Sequence, residues 1–327
     1  MLQGNLLTFT FSGRRLGDYT SKMRRNKTLG STHPQFLCNG SGNFTVKYLH
    51  SCVVYITLVY PFPHRYVKLV TLFETIIFGI IQGLTEWLPI SSSGHFAIVQ
   101  QIMNTHVPVI FNISLHVGTL LSAIFFFKKD VETVVKAIAR LDFRSPGGRL
   151  AVNILVGGLP TAVIGFILHD VIDVLFNSLL VVGIGLAITG LFLYLSKTKK
   201  GKEELSPLHC VLIGLAQGIA IIPGLSRSGL TVSVGVLLGV EREKAFKYSF
   251  LLSIPTILGA ALLDIKNIMV YQVDGTLLLV GLGISALLGY VSLKVLTKIF
   301  QKKDGFTIFA PYCWLLSFSV MMSVLIL

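Results

Sequence analysis

Charged residues are scarce in this chain of 327 residues: they make up 13% of it, against roughly a quarter of an average soluble protein. Hydrophobic residues make up 53%, and the mean hydropathy is +0.75. So little charge excludes a water-soluble enzyme of this size, and several apolar runs reach the length of a bilayer span. We therefore expect an all-α polytopic membrane protein.

Acidic residues are also few, 15 against 28 Lys and Arg, which gives a net charge of +13. In a soluble protein such an excess suggests nucleic acid, but in a membrane protein basic residues collect in cytoplasmic loops. We therefore interpret the basic excess as a sign of membrane topology. The expected partner is the bilayer, and we expect no nucleic-acid partner. The four cysteines have no Cys-x-x-Cys spacing, which indicates neither a zinc site nor a disulfide framework.

Six apolar runs are long enough to cross a bilayer at about 1.5 Å per residue. They lie near 108–127, 150–168, 178–195, 246–263, 276–293 and 307–327. Two further apolar regions, 69–103 and 208–240, are interrupted in the middle by Pro, Gly and Ser. Non-helical backbone at membrane depth occurs where protein buries it or where it lines a cavity. We interpret both regions as re-entrant helical hairpins whose breaks are candidate sites.

The two interrupted regions resemble each other. Aligned without gaps, 79–94 and 214–229 share six of sixteen positions. The shared pairs are Gly79/Gly214, Gln82/Gln217, Gly83/Gly218, Ser91/Ser226, Ser93/Ser228 and Gly94/Gly229. Chance likeness between Gly- and Ser-rich segments is one explanation, but matched broken segments in two halves are typical of inverted-repeat membrane proteins. We predict one membrane domain over 67–327, with halves at about 67–195 and 206–327.

Charge predicts how these halves lie in the membrane. Three full spans separate the hairpins, and an odd number places them on opposite sides. The loops at 128–149, 196–206 and 294–303 are rich in Lys and Arg and belong in the cytoplasm. The first hairpin then enters from outside and the second from the cytoplasm. Their tips should meet near the midplane and form one pocket.

The N-terminal segment 1–66 differs from the rest, with frequent Gly, Ser, Thr and Asn and one short apolar run. We expect a poorly ordered extension. Residues 1–68 carry nine basic residues and one acid, which the topology above places outside. Either 49–66 crosses as an extra short span, or the true start lies near Val67 and the tail is an artefact of start-site choice.

The first break holds two ionisable residues, Glu86 and His95, within apolar sequence. Charged residues in membrane segments cost about 2.5 kcal/mol or more on insertion scales, and ionisable ones are functional-site candidates. Gln82 lies four residues before Glu86 and shares its helix face. The serines at 91–93 then offer hydroxyls and backbone N–H groups at the start of the next half-helix, a position that attracts anions. This array suits a phosphate.

The second break adds a permanent cation, Arg227, whose planar fork matches phosphate oxygens. It is the one basic residue between His209 and Arg242. An arginine so isolated needs an anion, either Glu86 or a bound phosphate, and we favour the phosphate because helix N-termini and hydroxyls converge beside it. The residues predicted to bind substrate phosphate are Gln82, Ser91, Ser93, Ser226, Ser228 and Thr231.

Structural alternatives apply to several of these residues. Serine and threonine often join helices within membranes, so Ser93, Ser228 and Thr231 each carry that second interpretation. We interpret His116 as a histidine that packs between helices.

At these motifs the sequence resembles the undecaprenyl-diphosphate phosphatase family of the bacitracin-resistance type, integral membrane enzymes of bacterial wall synthesis. The family pattern of Glu or Gln, three residues, then Glu is met by Gln82 and Glu86. The pattern Pro-x-Ser-Ser-(Ser/Thr)-Gly-His is met by 89–95, and Pro-Gly-x-Ser-Arg-Ser-Gly-x-Thr by 223–231. The likeness covers about 67–327.

The resemblance implies hydrolysis of undecaprenyl diphosphate to undecaprenyl phosphate and inorganic phosphate at the outer face of the plasma (inner) membrane. This recycles the lipid carrier for cell-wall polymers and gives resistance to bacitracin. The resemblance also implies a divalent cation, Mg²⁺ or Ca²⁺, with Glu86 as its ligand. Essential family positions fall on Glu86, Ser92, His95 and Arg227. The implied partner is a polyprenyl diphosphate lipid, and a homodimer is one expected assembly.

Two mechanisms stay open at this point. In one, Ser92 is the nucleophile, Arg227 holds the diphosphate, Glu86 binds the cation or takes a proton, and His95 acts on water. In the other, metal-bound water attacks directly and Ser92 binds phosphate. A transporter or flippase of a polyprenyl phosphate is the alternative function, because inverted repeats with broken helices also build alternating-access carriers.

Overall fold

A computed structural model of the chain describes residues 35–38, 44–47, 70–105, 107–168, 171–198, 201–263, 274–302 and 305–326. Contacts between Cα atoms divide the chain into two units, Met1–Tyr66 and Val67–Leu327. Each unit is described below by itself.

In the first unit, the structure describes two short strands. β1 (Gln35–Cys38) and β2 (Phe44–Lys47) pair in antiparallel register, with Gln35 opposite Lys47. The expectations for the remainder of 1–66, including a crossing at 49–66, fall outside the described residues.

The second unit is nearly all-helical in its described residues. Its helices are α1 (Leu72–Thr85), α2 (Ser92–Met103), α3 (Val109–Phe126), α4 (Lys128–Ala139), α5 (Pro146–Leu168), α6 (Ile172–Phe176), α7 (Leu179–Leu195), α8 (Pro207–Ile219), α9 (Arg227–Leu237), α10 (Arg242–Leu263), α11 (Gly275–Phe300) and α12 (Phe309–Ile326). Short 3₁₀ helices at Ser196–Thr198 and Gly305–Ile308 follow α7 and precede α12.

Five helices in the described part of the chain are long and apolar enough to cross a membrane: α3, α5, α10, α11, and α12 together with the turn before it. They coincide with five of the six predicted runs. The sixth run forms α7, an apolar helix of 17 residues. Large apolar side chains face outward, such as Phe166 at 81% exposed, and such a surface suits lipid rather than water. The prediction of a helical, multi-pass membrane protein is confirmed for the described residues of the second unit.

Both interrupted regions are pairs of helices with a break between them. Ser91 begins α2 by accepting a hydrogen bond from the N–H of Gly94 at 3.1 Å. Ser226 begins α9 by accepting one from the N–H of Gly229 at 3.1 Å. A serine in this position satisfies one of the free N–H groups at a helix start. The shared serine and glycine of the two repeats therefore build the same local structure twice.

The shared glycines of α1 and α8 allow close contact between helices of opposite halves. A Cβ on Gly83 of α1 would lie 2.7 Å from the Cβ of Leu288 in α11. A Cβ on Gly214 of α8 would lie 2.0 Å from the carbonyl oxygen of Gly157 in α5. The first hairpin thus packs on a helix of the second half, and the second hairpin on a helix of the first.

An apolar core lies behind the tip of the first hairpin. Trp87 is fully buried, and its ring centroid lies 5.5 Å from that of Phe250 in α10. Leu120 of α3 and Val232 of α9 belong to the same cluster. Residues from both halves therefore support the segment that follows Glu86.

Candidate active site

Glu86 is the centre of the polar cluster between the hairpins. It caps the C-terminus of α1 and is only 7% exposed. One oxygen, Oε2, accepts hydrogen bonds from Ser92 Oγ at 2.7 Å and from Gln82 Nε2 at 3.0 Å. The other, Oε1, accepts one from Nη2 of Arg227. An ionised carboxylate is an acceptor only, so these three donors match its charged form.

Arg227 joins the second hairpin to this carboxylate. It is the first residue of α9, and its side chain is 16% exposed. Nearby, Ser228 Oγ donates to the carbonyl oxygen of Leu88 at 3.2 Å. The contact between the two tips that the sequence predicted is therefore present. Two anions were considered as partners of Arg227, Glu86 and a bound phosphate. The structure shows the ion pair with Glu86.

Trp87 orients the guanidinium group from behind. The Arg227 Cζ lies 5.0 Å from the centroid of the Trp87 ring, a distance at which an aromatic face attracts a cation. The indole Nε1 donates to Ser122 Oγ of α3 at 3.0 Å, which holds the ring in place. Sequence reasoning missed Trp87 and Ser122. For Trp87, the available signal was its position directly after Glu86.

The starts of two helices face the same polar cluster. Ser91 Oγ lies 3.1 Å from Ser93 Oγ, and Ser226 Oγ lies 3.3 Å from Ser228 Oγ. Ser91 has φ +68°, a conformation that costs a residue with a side chain about 1–3 kcal/mol and that is often found at functional sites. The free N–H groups of helix starts favour anions. The α2 and α9 termini therefore form a region suited to negative charge.

Burial divides the predicted site residues into two groups. Ser92, Ser93, His95 and Arg227 are partly exposed. The buried members are Gln82, Glu86, Ser91, Ser226, Ser228 and Thr231. Thr231 bonds within its own helix, donating to the Arg227 carbonyl oxygen at 2.7 Å. The first group lies at the surface of the cluster, while the buried group forms its floor.

His95 lies at the edge of the cluster, one helical turn into α2. Its Nδ1 lies 2.8 Å from the carbonyl oxygen of Ser91, and its Nε2 lies 2.7 Å from the hydroxyl of Tyr312 in α12. Tyr312 is a site neighbour that sequence reasoning missed.

His116 is a second histidine close to the carboxylate. Its Nε2 lies 3.9 Å from Oε2 of Glu86, while Nδ1 lies 3.0 Å from the carbonyl oxygen of Asn112. The interpretation of His116 as a packing histidine explains only the contact between Nδ1 and the Asn112 carbonyl oxygen. The signal for the contact with Glu86 was the position of His116 near the middle of an apolar run, where an ionisable side chain needs a polar partner.

The side chains around Glu86 offer few ligands for the divalent cation that the resemblance implies. Among the described residues, no group of three or more His, Cys, Asp and Glu side chains could hold a metal ion. Within the same residues, Gln82 Oε1 is buried without a hydrogen-bond partner, on the side chain whose Nε2 bonds Glu86. Mg²⁺ is commonly bound by one or two carboxylates together with substrate phosphates. Glu86 and Gln82 fit a cation held in that way.

The sequence is similar to known proteins over most of its length. The model of the family described as bacitracin resistance protein BacA matches residues 75–319. An undecaprenyl-diphosphatase of Desulforapulum autotrophicum is 41% identical over 262 residues, covering 74% of this chain and 95% of the relative. One of Korarchaeum cryptofilum is 40% identical over 256 residues, covering 76% and 97%. One of Methanosphaera stadtmanae is 37% identical over 272 residues, covering 77% and 98%.

The chain belongs to the bacitracin resistance protein BacA family. The family resemblance found in the sequence is thereby confirmed. The matched region includes the breaks of both hairpins and every residue of the polar cluster.

Proposed function

We propose that this protein hydrolyses undecaprenyl diphosphate to undecaprenyl phosphate and inorganic phosphate. The observation that carries the proposal is the partly exposed Ser92 hydroxyl, which is bonded to Glu86 while the same carboxylate pairs with Arg227. A nucleophile (Ser92), a base (Glu86) and a positively charged side chain (Arg227) thus lie in one hydrogen-bonded cluster. The names of the relatives support this substrate. They favour hydrolysis over the alternative of a polyprenyl phosphate flippase.

In the proposed topology, six helices span the plasma (inner) membrane and the hairpins α1–α2 and α8–α9 re-enter from opposite sides. At about 1.5 Å per residue, α7 is roughly 25 Å long, near the lower limit for a span. The crossed packing of each hairpin on the opposite half supports an inverted repeat. The basic loops support a cytoplasmic location for 128–149. An active site open to the outer face is proposed from the family resemblance.

The proposed enzyme domain is 67–327, with 1–66 as an extension outside it. The extent of the family match, 75–319, supports this boundary. Expected functions of the domain are recycling of the lipid carrier for cell-wall polymers and resistance to bacitracin. A homodimer stays a prediction.

Substrate binding in this proposal uses the partly exposed groups. Arg227 has N–H groups beyond the one that bonds Glu86, and the planar fork can hold two phosphate oxygens at once. Ser93 and the N–H groups at the start of α2 lie on the other side of the cluster. Positive charge at both sides stabilises the negative charge that develops on the phosphoryl group during transfer.

In the first mechanism, Glu86 takes the proton of Ser92 as Oγ attacks the terminal phosphorus. The bond from that phosphorus to the bridging oxygen breaks, and undecaprenyl phosphate leaves with the electron pair. Water then attacks the phosphoserine as the bond from phosphorus to Ser92 Oγ breaks. His95 receives the proton of that water, Glu86 returns its proton to Oγ, and inorganic phosphate is released. The bond of 2.7 Å between Ser92 and Glu86 supports the first step.

In the second mechanism, water attacks the terminal phosphorus directly and Ser92 only binds phosphate. Both mechanisms place Glu86 beside the attacking oxygen and Arg227 on the phosphate. They differ in whether phosphate ever becomes attached to the protein.

A divalent cation, Mg²⁺ or Ca²⁺, is part of the proposal. Glu86 and the free Gln82 Oε1 are the residues that would hold it. When bound, such an ion neutralises phosphate charge and polarises the bond that breaks. Gln82 then serves the cation rather than the phosphate.

The test is phosphate release from undecaprenyl diphosphate by the detergent-purified full chain. Wild-type protein should release phosphate, while Glu86→Ala and Arg227→Ala should release little or none. Glu132→Ala is the matched control, because Glu132 forms an exposed ion pair with Lys136 on α4, and it should retain full activity. Transport of undecaprenyl phosphate by folded protein that releases no phosphate from the diphosphate would replace this proposal with the flippase.

A further inference from the structure

Both nitrogens of the His95 ring have hydrogen-bond partners, and the two partners differ in kind. Nδ1 lies 2.8 Å from the carbonyl oxygen of Ser91, a group that can only accept. Nε2 lies 2.7 Å from the Tyr312 hydroxyl, which can donate or accept. The histidine and tyrosine rings are nearly parallel, with 1° between their planes.

These contacts define the form of the neutral ring. Because the Ser91 oxygen accepts, Nδ1 must carry the hydrogen, and Nε2 is left with the lone pair. The Tyr312 hydroxyl then donates to Nε2. Nε2 has a single lone pair, so the proton of water reaches it through this hydroxyl: Tyr312 gives its own proton to Nε2, takes one from the water, and then accepts a hydrogen bond from Nε2. Tyr312 can therefore remain bonded to Nε2 in both protonation states, without movement of its ring.

The structure holds Tyr312 firmly at this position, 217 positions away from His95 in the chain. The next residue, Cys313, is fully buried, and its Sγ lies 3.5 Å from the carbonyl oxygen of Pro89 at the hairpin tip. Trp314 Nε1 donates to the carbonyl oxygen of Ala187 in α7 at 3.2 Å. The first turns of α12 are thus fixed on both sides, while Tyr312 itself is 43% exposed.

We propose that Tyr312 positions His95 and passes its proton: the Ser91 carbonyl oxygen sets the tautomer, while the Tyr312 hydroxyl holds the ring and connects Nε2 to the water. The inference rests on the proposed function, in which His95 acts on water. A hydrogen-bond partner on one nitrogen is the usual way in which a functional histidine is held in one tautomer and one orientation. The sequence motifs of the two hairpins do not contain this residue.

The first experiment compares phosphate release by wild-type, Tyr312→Phe, His95→Asn and the double variant. Tyr312→Phe should lower kcat about 10- to 100-fold, the range seen when the orienting partner of a functional histidine is removed. KM should change less than about threefold, since the hydroxyl does not hold substrate. In the His95→Asn background the same change should have no further effect, because coupled residues are not additive.

Tyr194→Phe is the matched control. Tyr194 lies on α7 and packs against Trp314, with ring centroids 5.7 Å apart, so it supports the same part of α12 without touching His95. Its kcat should stay within about twofold of wild type, as expected for a change away from the site. An unchanged kcat in Tyr312→Phe, or an equal loss in both His95 backgrounds, overturns the inference.

A second measurement reads the tautomer directly in the wild-type protein and needs no variant of Tyr312. Nitrogen NMR of protein with ¹⁵N-labelled histidine, at a pH where the ring is neutral, should give a proton on Nδ1 and a hydrogen-bonded lone pair on Nε2 for His95. The His95 signal is identified as the one that disappears in the His95→Asn variant. A proton on Nε2 of the neutral ring overturns the inference. Absence of phosphate release by the wild type overturns the proposed function, whereas release with additive variants overturns this inference alone.

Discussion

Ser92 and Arg227 occupy equivalent positions in the two repeats, and they donate to the two different oxygens of one carboxylate, that of Glu86. Each is the first residue of its helix, α2 or α9. The position equivalent to Glu86 in the second repeat is Ile221. The duplication thus supplies a common backbone, while divergence supplies a hydroxyl on one side and a cation on the other. The outcome is one site rather than two.

The ion pair between Glu86 and Arg227 should be important for stability as well as function. Glu86→Gln leaves the guanidinium, only 16% exposed, without its charge partner. Removing one member of a buried pair typically costs about 3 kcal/mol or more. We therefore expect a clear decrease in the thermal unfolding temperature of the detergent-purified protein, measured by the change in tryptophan fluorescence.

Two further variants separate this effect from general damage. Glu86→Gln combined with Arg227→Gln should be more stable than the sum of the single losses, because no charge is left unpaired. Glu132→Gln removes an exposed pair in which a hydrogen bond from Lys136 lowers the pKa of Glu132. It should leave the unfolding temperature unchanged, since exposed pairs contribute little. A Glu86→Gln protein as stable as wild type would contradict the importance of the pair.

The parts of this fold that the sequence predicted are those with local causes. A break of Pro, Gly and Ser in an apolar run ends a helix whatever lies around it. The Ser-x-Ser-Gly of each repeat carries its own cap, as the bonds from Gly94 to Ser91 and from Gly229 to Ser226 show. Ionisable residues are few in these segments, which singles out Glu86, His95 and Arg227. The meeting of the two hairpin tips followed from topology, whereas the sequence left the partner of Arg227 open between Glu86 and a phosphate.

The residues that the sequence did not predict depend on how separate helices are rotated against each other. His116, on α3, reaches Glu86 only because that helix presents its polar side to the first hairpin. Ser122 matters because it bonds Trp87. Tyr312 comes from the last helix of the chain. No local pattern predicts these contacts, since they are set by packing among helices distant in sequence.

The two mechanisms lead to different outcomes for Ser92. If its hydroxyl is the nucleophile, Ser92→Ala should lower kcat by about 10³-fold or more, as removal of a nucleophile does elsewhere. Brief reaction with substrate labelled in the terminal phosphate should leave label on the wild-type protein after acid quench. The variant should acquire none.

Ser93→Ala is the matched control for that experiment, because Ser93 is the next residue and its Oγ lies 3.1 Å from Ser91 Oγ rather than on Glu86. It should still acquire label, with an effect mainly on KM if Ser93 binds phosphate. Absence of label on the wild type, together with appreciable turnover by Ser92→Ala, would establish direct attack by water.

Adjacent glycines in α5 test the close packing of the two halves. A Cβ on Gly157 would lie 2.2 Å from the Tyr248 hydroxyl and 2.9 Å from the carbonyl oxygen of Cys210. Gly157→Ala must therefore displace Tyr248, whose hydroxyl donates to the carbonyl oxygen of Asn153 at 2.7 Å. Overpacking of this kind costs about 1–3 kcal/mol. We expect a lower unfolding temperature and reduced activity.

Gly158→Ala is the natural comparison, since among the described residues nothing lies within 4 Å of a Cβ at that position. Alanine is the better helix former by about 1 kcal/mol, so this variant should be at least as stable as wild type. Equal destabilisation by the two substitutions would mean that α5 is sensitive to any side chain there and that close approach to α8 and α10 is not the cause.

The proposed cation site makes a prediction about Gln82. Treatment with a chelator should stop phosphate release, and Mg²⁺ or Ca²⁺ should restore it. Gln82→Glu would replace the free, buried Oε1 with a charged oxygen four residues from Glu86. Two carboxylates on one helix face repel each other unless a cation lies between them, and cation affinity rises with ligand charge. The cation concentration for half-maximal activity should fall on the order of tenfold.

The matched variant is Gln217→Glu, at the equivalent position of the second repeat, where the side-chain amide donates to Thr256 Oγ1 at 2.9 Å and Ile221 replaces the carboxylate. With no second carboxylate four residues on, Gln217→Glu should leave the cation requirement unchanged. If Gln82→Glu needs as much cation as wild type, or if both variants shift the requirement equally, Gln82 is not a ligand. The free oxygen would then bond water or substrate, and Glu86 would be the one protein carboxylate left to hold the ion.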